Sequence, residues 1–333
     1  MADVAYVLPL RRPGVDERSV AELARYVAGL ARRVEVVVAD GSPEPVRARH
    51  AAAWGDAART VAVEPPPPGS NGKVVGVLAA LAATSAPRVV VADDDVRWDA
   101  ATLDRALAGL DRADAVVPQN VFDPLPWHAR WDTARSLVNR ALGHDWAGTV
   151  VLRRDALGPD GYDARVLFEN LELERTVRAR GGRVEHRPDL LVVRRPPRVR
   201  TFVEQRVRQA YDSFAQPARL VAELALAPLL AGCAVGAARS SGTVRATWAA
   251  VPVVVLAAVV AVAEAGRRVA GCAAAWPATS SLWAPAWLVE RAVCVWLALA
   301  WRVRGGVPYA GTRIRRAAHS EAELRRAAQA VAR

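Results

Sequence analysis

Residues 88–95 read Arg-Val-Val-Val-Ala-Asp-Asp-Asp, an apolar run that leads directly into three adjacent carboxylates. The run has the length and the β-branched composition of a strand that is buried on both faces. Adjacent carboxylates repel one another unless a cation lies among them, and oxygen ligands suit Mg²⁺ or Mn²⁺. The stretch therefore predicts a buried strand that ends at a divalent-cation site. A solvated turn that caps the next helix is the alternative.

Strands and helices alternate on both sides of this stretch. Short apolar runs predict strands at about 3–9, 34–39, 59–63, 115–118 and 148–153. Longer periodic segments predict helices at about 16–32, 72–84, 100–110 and 169–180. Residues 119–147 are rich in Trp, Pro and polar residues, and we expect them to be irregular. The alternation predicts an α/β fold with a mixed, mainly parallel sheet and helices on both faces.

The composition becomes strongly apolar after about residue 216. Residues 220–238 contain Glu223 as their one charge and residues 246–263 contain none, so both predict membrane spans. Residues 269–289 contain prolines and hydroxyl side chains, so an interfacial segment and a third span both stay open. We therefore expect a catalytic domain at 1–215, transmembrane and interfacial helices at 216–303, and a basic tail at 304–333.

The charge pattern narrows the partners and the location. The net charge is +11, but the basic residues are spread along the chain without interleaved aromatic rings, which argues against nucleic acid and favours a membrane surface. The dense arginines at 302–316 favour a multi-pass protein of a bacterial-type cytoplasmic membrane, with its catalytic domain facing the cytoplasm. The three cysteines lie far apart in apolar segments, a pattern that predicts neither a zinc site nor a disulfide.

Two further polar loops follow predicted strands. Asp40-Gly41-Ser42 places a carboxylate at the end of a buried strand, and Asn71-Gly72-Lys73 opens a helix with backbone donors and an ammonium. Lys73 is the only lysine among 45 basic residues, which suggests a need for a compact positive charge. Because ligands bind outside the carboxyl ends of strands in open sheets, we expect both loops to lie near the acidic triplet.

In order and spacing, these segments resemble the inverting family 2 glycosyltransferases of the GT-A fold, over about residues 3–210. The segments that carry the resemblance are Val7-Leu8-Pro9, Val38 to Ser42, Asn71 to Lys73, Val91 to Asp95, Phe168 to Leu173 and Gln205 to Gln209. The resemblance implies a UDP- or GDP-sugar donor and Mg²⁺ or Mn²⁺ as cofactor. It implies that Asp93 and Asp95 hold the metal, and that the nucleotide sugar contacts Pro9, Asp40, Lys73, Asp93, Asp94 and Gln205.

The acceptor side departs from the family pattern at two positions. Asn170 stands where the family has the aspartate that acts as general base, so Glu169 is the nearest candidate base, with Glu172 and Asp163 behind it. Gln209 replaces the tryptophan of the family's Gln-x-x-Arg-Trp element, while Arg208 is retained and would bind the leaving diphosphate.

Three tryptophans in the Gln119 to Trp146 segment, Trp127, Trp131 and Trp146, are candidate acceptor contacts, with packing as the alternative. A site beside membrane segments implies a lipid or lipid-linked acceptor. Two other functions stay open. A nucleotidyltransferase would share the strand-end aspartates, but Pro9 to Arg12 lacks the expected Gly-rich loop. A non-catalytic membrane scaffold with a degenerate transferase domain would explain Asn170 and Gln209.

Overall fold

The computed structural model describes residues 3–309 and 311–331. These residues form two compact units. The first unit contains the residues up to Asn120, Trp146–Arg194 and the residues from Pro308, and the second contains Val121–Asp145 and Arg195–Val307. Residues 121–145 and 195–215 thus group with the apolar helices, and the C-terminal residues group with the sheet. The physical reason is packing between segments that are distant in sequence.

The first unit is built on an eight-stranded sheet. Its strands are β1 (Val4–Leu10), β2 (Glu35–Asp40), β3 (Arg59–Ala62), β4 (Arg88–Ala92), β5 (Val96–Arg97), β6 (Ala115–Phe122), β7 (Thr149–Arg153) and β8 (Val184–Arg194). They lie in the order β3-β2-β1-β4-β7-β6-β8-β5. The first four are parallel, whereas β7 is antiparallel to both β4 and β6, and β5 is antiparallel to β8. The predicted mixed α/β sheet is confirmed.

Helices cover both faces of this sheet, as predicted. They are α1 (Glu17–Leu30), α2 (Glu44–Trp54), α3 (Gly72–Ala82), α4 (Ala100–Gly109) and, later in the chain, Glu169–Ala179. Successive strand residues face opposite sides. In β2, Val36 and Val38 belong to one buried cluster with α1 and α4, whereas Val37 belongs to the other cluster with α3. The α1 helix follows from its sequence, because Asp16 caps its first turn and its buried residues recur every three or four positions.

One expectation within this region is wrong. Residues 119–147 are not irregular, because they include the helix α5 (Trp127–Ala141), which is followed in chain order by α6 (Glu169–Ala179). Ten of the α5 residues are buried, and many of those are polar or charged, including Asp132 and Arg140. A helix that is buried on most sides through polar contacts has no apolar stripe, so hydrophobic periodicity does not reveal it.

The second unit is helical apart from the end of β6 and the start of a later hairpin. It contains α5, α7 (Val199–Tyr211), α8 (Pro217–Arg239), α9 (Gly242–Arg268) and α10 (Ala284–Val303). Short 3₁₀ turns connect α9 to α10. Three segments of the described chain are long and apolar enough to cross a membrane, namely Pro217–Arg239, Gly242–Gly271 and Ala278–Val303.

The C-terminal residues return to the first unit. Two short strands, β9 (Val307–Tyr309) and β10 (Thr312–Ile314), pair with each other, and the helix α11 (Glu321–Val331) packs against α6. Ile314, the only isoleucine of the chain, is fully buried. Of the residues predicted as a basic tail, 308–309 and 311–331 therefore belong to the sheet-containing unit.

Candidate active site

The carboxyl ends of β1, β2 and β4 lie at one edge of the sheet. The parallel register pairs Leu10 with Asp40, and β4 lies on the other side of β1. Asp93 follows β4 directly, and its backbone amide donates a hydrogen bond of 2.8 Å to the carbonyl of Gly148. Parallel pairing therefore places the acidic triplet and the loop after β2 along the same edge, as expected.

Among the described residues, three basic side chains form ion pairs with the carboxylates of the triplet. Lys73 Nζ lies 2.5 Å from Asp93 Oδ1, and Arg12 forms an ion pair with Asp94. Arg194, at the end of β8, contacts two carboxylates at once, with Nη2 at 3.2 Å from Asp93 Oδ2 and Nε at 3.0 Å from Asp95 Oδ2. These cations offset the repulsion between neighbouring carboxylates.

Asp95 has the features of a metal ligand. Its Oδ1 atom is buried and has no hydrogen-bond partner among the described residues. Burial and, secondarily, repulsion from Asp93 and Asp94 raise the pKa of Asp95 to about 6, although Arg194 opposes the shift. A buried carboxylate oxygen without a partner is costly, and a hard cation would satisfy it. Asp93 and Asp95 therefore supply an oxygen donor set that fits Mg²⁺ or Mn²⁺.

Gly148 keeps this part of the site open. A Cβ atom at this position would lie 2.6 Å from Asp93 Oδ2 and 3.1 Å from Arg194 Nη1, and the first distance is closer than Cβ contacts occur in proteins. A side chain at residue 148 would therefore displace the Asp93 carboxylate from its present position.

Lys73 links the triplet to the helix α6. Asn71 caps α3 by accepting a hydrogen bond of 3.0 Å from the Lys73 amide. The Lys73 ammonium reaches Asp93, lies 2.7 Å from Glu169 Oε1 and donates to Asn170 Oδ1 at 3.4 Å. Burial alone would lower the pKa of Lys73, but the charges of Asp93 and Glu169 outweigh it and hold this pKa above its usual value. The compact charge inferred from the sequence is thus located between two carboxylates.

The three acidic-motif residues at the start of α6 have different surroundings. Glu169 and Asn170 both contact Lys73. Glu172 is fully buried, and both of its oxygens accept hydrogen bonds of 2.7 Å from His319, one from the ring Nδ1 and one from the backbone amide. This placement favours Glu169 over Glu172 as a group that meets a substrate.

Asp40 is fully buried at the end of β2. Its oxygens contact the Ser42 amide at 2.8 Å and the His50 ring Nδ1 at 2.7 Å, and His50 stacks on Trp54. Pro9 contacts α3 closely, because a Cβ atom on Gly76 would lie 3.1 Å from the Pro9 Cβ. Both residues lie at the expected edge of the sheet, and their contact with a nucleotide stays a prediction.

The remaining candidates are divided between the units. Trp146 belongs to the first unit and packs edge-on against Phe168, with ring centroids 5.1 Å apart. Trp127 and Trp131 belong to α5 in the second unit, where both contact Phe202 of α7. Gln205 and Arg208 are half-buried on α7. Their roles stay predictions.

Four residues of this region were not identified as candidates from the sequence, and the first is Arg12, which pairs with Asp94. Arg194 contacts Asp93 and Asp95, Tyr309 contacts Asn71, and His319 contacts Glu172. Arg194 follows an apolar run, as Asp40 and Asp93 do, and that shared position was a usable signal. Tyr309 and His319 had none, because both follow the apolar helices in a segment that resembles a plain basic tail.

Comparison with solved structures shows the fold of the chain. A mannosyltransferase from Pyrobaculum calidifontis, PcManGT, solved with GDP-Man and Mn²⁺, is 20% identical, with a TM-score of 0.50 over 89% of this chain and 87% of that one. S. aureus TarS 1-349, solved with UDP-GlcNAc, is 15% identical, with a TM-score of 0.44 over 60% of each chain. Glucosyl-3-phosphoglycerate synthase from Mycobacterium tuberculosis, solved with Mn²⁺ and UDP, is 18% identical, with a TM-score of 0.37 over 61% of this chain and 75% of that one.

No protein-family model matches the sequence, and no curated protein matches it significantly. The likeness to the mannosyltransferase covers 89% of this chain, and it confirms the predicted GT-A fold.

Proposed function

We propose that this chain is a metal-dependent, inverting glycosyltransferase that moves a sugar from a UDP- or GDP-sugar to a hydroxyl group of a lipid or lipid-linked acceptor. The observation that carries the proposal is the buried Asp95 Oδ1, which has no hydrogen-bond partner in the described part of the chain and lies beside Asp93 and Lys73 at the edge of a GT-A sheet. The likeness to a mannosyltransferase solved with GDP-Man and Mn²⁺ supports the same reading.

The donor would contact the strand-end residues. Asp93 and Asp95 would hold Mg²⁺ or Mn²⁺, which when bound neutralises the charge of a departing nucleoside diphosphate. Lys73 adds a point charge at Asp93, and Arg12, paired with Asp94, has 41% of its side chain exposed and can reach an anion. Asp40 is fully buried and already contacts the Ser42 amide and the His50 ring, so a hydrogen bond from the nucleoside would replace one of these contacts.

Glu169 is the proposed general base. Its side chain is 16% exposed, and Oε1 lies 2.7 Å from the Lys73 ammonium. Glu169 would take the proton of the acceptor hydroxyl while the hydroxyl oxygen bonds to the anomeric carbon. The bond from that carbon to the diphosphate breaks, and its electron pair leaves on the phosphate oxygen. Attack opposite the leaving group inverts the anomeric centre.

A cavity in the second unit suits an apolar acceptor. It has a volume of about 620 Å³ and lies among α5, α7, α9 and α10. Trp127, Trp131 and Phe202 line it with aromatic rings, and Leu256 and Val289 line it with aliphatic groups. Because the lining is apolar and α9 is a candidate membrane helix, we assign the hydrocarbon chain of the acceptor to this cavity.

The membrane arrangement follows from contacts at both ends of a helical hairpin. Arg219 at the start of α8 donates to Asn139 of α5 at 3.0 Å, and Arg140 of α5 donates to the carbonyls of Gly266 and Val269 at the end of α9. With 23 and 27 residues, α8 and α9 exceed the roughly 20 residues that a span requires. The start of α8 and the end of α9 therefore both contact α5, and the two helices form a hairpin.

The third apolar helix differs from these two. The share of residues buried inside the protein is 39% for Ala278–Val303, compared with 11% for each of the other candidates. Arg291 in the middle of α10 is 1% exposed. Because Asn71 and Glu172 contact residues that follow α10, both flanks of the helices belong on one side of the membrane. We propose two spans, α8 and α9, with the catalytic unit and the C-terminal residues in the cytoplasm.

A donor panel tests the catalytic proposal. The full chain, purified in lipid nanodiscs with extracted lipid as acceptor, should release nucleoside diphosphate from one UDP- or GDP-sugar only with Mg²⁺ or Mn²⁺. Asp95→Asn removes a ligand charge at nearly constant shape, so it should reduce turnover by at least about 100-fold. Asp56→Asn is the matched control, because Asp56 is exposed on a short turn away from the β4 end.

The same preparation separates the alternatives. Full turnover in the presence of a chelator would exclude the proposed metal role. Release of pyrophosphate from a nucleoside triphosphate and a sugar phosphate would indicate a nucleotidyltransferase instead. A scaffold should give no heat of binding with any nucleotide sugar in the presence of metal.

A further inference from the structure

The residues that follow the membrane helices contact the loop that carries Lys73. Tyr309 donates a hydrogen bond of 3.0 Å from its hydroxyl to Asn71 Oδ1, and the Gly69 amide donates to Thr312 Oγ1 at 3.1 Å. Asn71 is 3% exposed, and the same Oδ1 accepts the Lys73 amide. The C-terminal segment therefore contacts Asn71. Asn71 in turn caps α3 and accepts the Lys73 amide, which orients Lys73.

The same segment pairs with the backbone that precedes α6. Val166 forms a parallel bridge with Arg316. The amides of Leu167 and Phe168 donate to the carbonyls of Arg316 and Ala317 at 3.0 and 2.8 Å. These contacts end one residue before Glu169, so they fix the backbone from which its side chain extends.

His319 adds a contact on the first turn of α6. Its ring Nδ1 and its backbone amide both lie 2.7 Å from the Glu172 carboxylate, and its carbonyl accepts from Arg175 at 2.6 Å. Since Glu172 is fully buried, it needs hydrogen-bond partners, and His319 supplies two. The helix that follows, α11, packs against α6 and extends the contact.

We propose that residues 309 and 311–319, named here the C-terminal strap, are a positioning element of the transferase site. Tyr309 and His319 act through Asn71 and Glu172 and hold Lys73 and Glu169 at their separation of 2.7 Å beside Asp93. The inference rests on the proposed function. It assigns to the strap the task of holding Lys73 and Glu169 together.

The need for such an element follows from the connectivity. Asn71 and Glu169 contact each other directly at 3.4 Å but are 98 residues apart in sequence. Their distance therefore depends on tertiary contacts, and a shift of about 1 Å between catalytic groups can lower a rate about 100-fold. The strap touches both sides of this junction, so it restrains the distance between them.

Two conservative substitutions test the strap in the full chain in nanodiscs. Tyr309→Phe removes only the hydroxyl group, and His319→Gln retains a donor for Glu172 that His319→Ala lacks. For Tyr309→Phe and His319→Ala we expect kcat to fall by roughly three- to tenfold, as for the loss of one hydrogen bond, with a change in donor KM below about twofold. His319→Gln should recover part of the loss. Gln329→Ala, exposed on α11, is the matched control.

Hydrogen exchange at the amides of Gly69, Leu167 and Phe168 provides a readout that is independent of turnover. Faster exchange at these amides in His319→Ala, together with the lower kcat, supports the strap. Faster exchange with wild-type kcat and KM would overturn it, because the contacts would then hold structure without affecting the chemistry. Unchanged exchange would overturn it as well. If the wild-type chain transfers no sugar from any donor, the proposed function itself fails.

Discussion

Replacing Lys73 with methionine tests the central electrostatic contact of the site. Methionine has nearly the volume of lysine but no charge, so the ammonium between Asp93 and Glu169 disappears with little change in packing. Asp93 keeps Arg194 at 3.2 Å. Glu169 keeps the Asn71 amide at 3.4 Å, a weaker partner than an ammonium. Most of the decrease in the free energy of unfolding should therefore come from Glu169, which loses its cation.

The structure sets the expected size of this effect. The exposed fractions of the three side chains are 20% for Lys73, 18% for Asp93 and 16% for Glu169, so water screens the pair only in part. Removing one partner of a buried ion pair costs about 3–5 kcal/mol, and the remaining exposure places this site near the lower end, at about 3 kcal/mol. That corresponds to roughly a 100-fold change in the folding equilibrium.

A double-mutant cycle isolates the interaction. The free energy of unfolding is measured for wild type, Lys73→Met, Glu169→Gln and the double variant, in the same detergent and with chelator present. Because Glu169→Gln removes the carboxylate left without its cation, the double variant should be more stable than the sum of the single changes predicts, by at least about 1 kcal/mol. Additive losses would refute the reasoning, since they would mean that Lys73 and Glu169 contribute independently.

Lys73→Arg separates charge from shape. Arginine keeps the positive charge but replaces a compact ammonium with a larger planar group. We expect a free energy of unfolding within about 1 kcal/mol of wild type, because the charge is kept. Turnover should be at least about tenfold lower, because the guanidinium cannot contact Asp93 and Glu169 at the same separations as the ammonium. Wild-type turnover in this variant would show that any cation suffices.

Three further predictions use the same preparation. Arg194→Gln removes the cation shared by Asp93 and Asp95, so Mn²⁺ should raise its melting temperature more than that of wild type, and an equal shift would contradict this. The hydrogen bond to Glu172 raises the pKa of His319, so docking of the strap should be strongest below about pH 6.5 and weaken as the pH rises through the raised value. Exchange at the Leu167 amide measures this, and His319→Gln should abolish the pH dependence. In a variant without native cysteines, an impermeant maleimide should label Ser240→Cys from the outer side of sealed vesicles and Gln329→Cys only from the cytoplasmic side; equal labelling would exclude two spans.

The strand β4 and the helix α5 show which elements a local sequence pattern can predict and which it cannot. The run from Arg88 to Ala92 is a strand at the predicted residues, since a short β-branched segment that is buried on both faces has few alternatives. The helix α5 was missed because its buried face contains Asp132, Ser136 and Arg140, whose partners lie on other elements. Polar packing of this kind has no periodic signal in the chain itself.

The acidic triplet, the caps and the apolar spans were determined by the sequence alone, because each depends on neighbours within a few positions. Lys73 was likewise marked by its rarity as the only lysine. Its actual partners, Asp93 and Glu169, were decided by the tertiary structure, as were the contacts of Arg194 and of the C-terminal strap. Apart from the contact of Lys73 with Asp93, these contacts join residues about 100 or more positions apart, and only the folding of the whole first unit brings such groups within hydrogen-bonding distance.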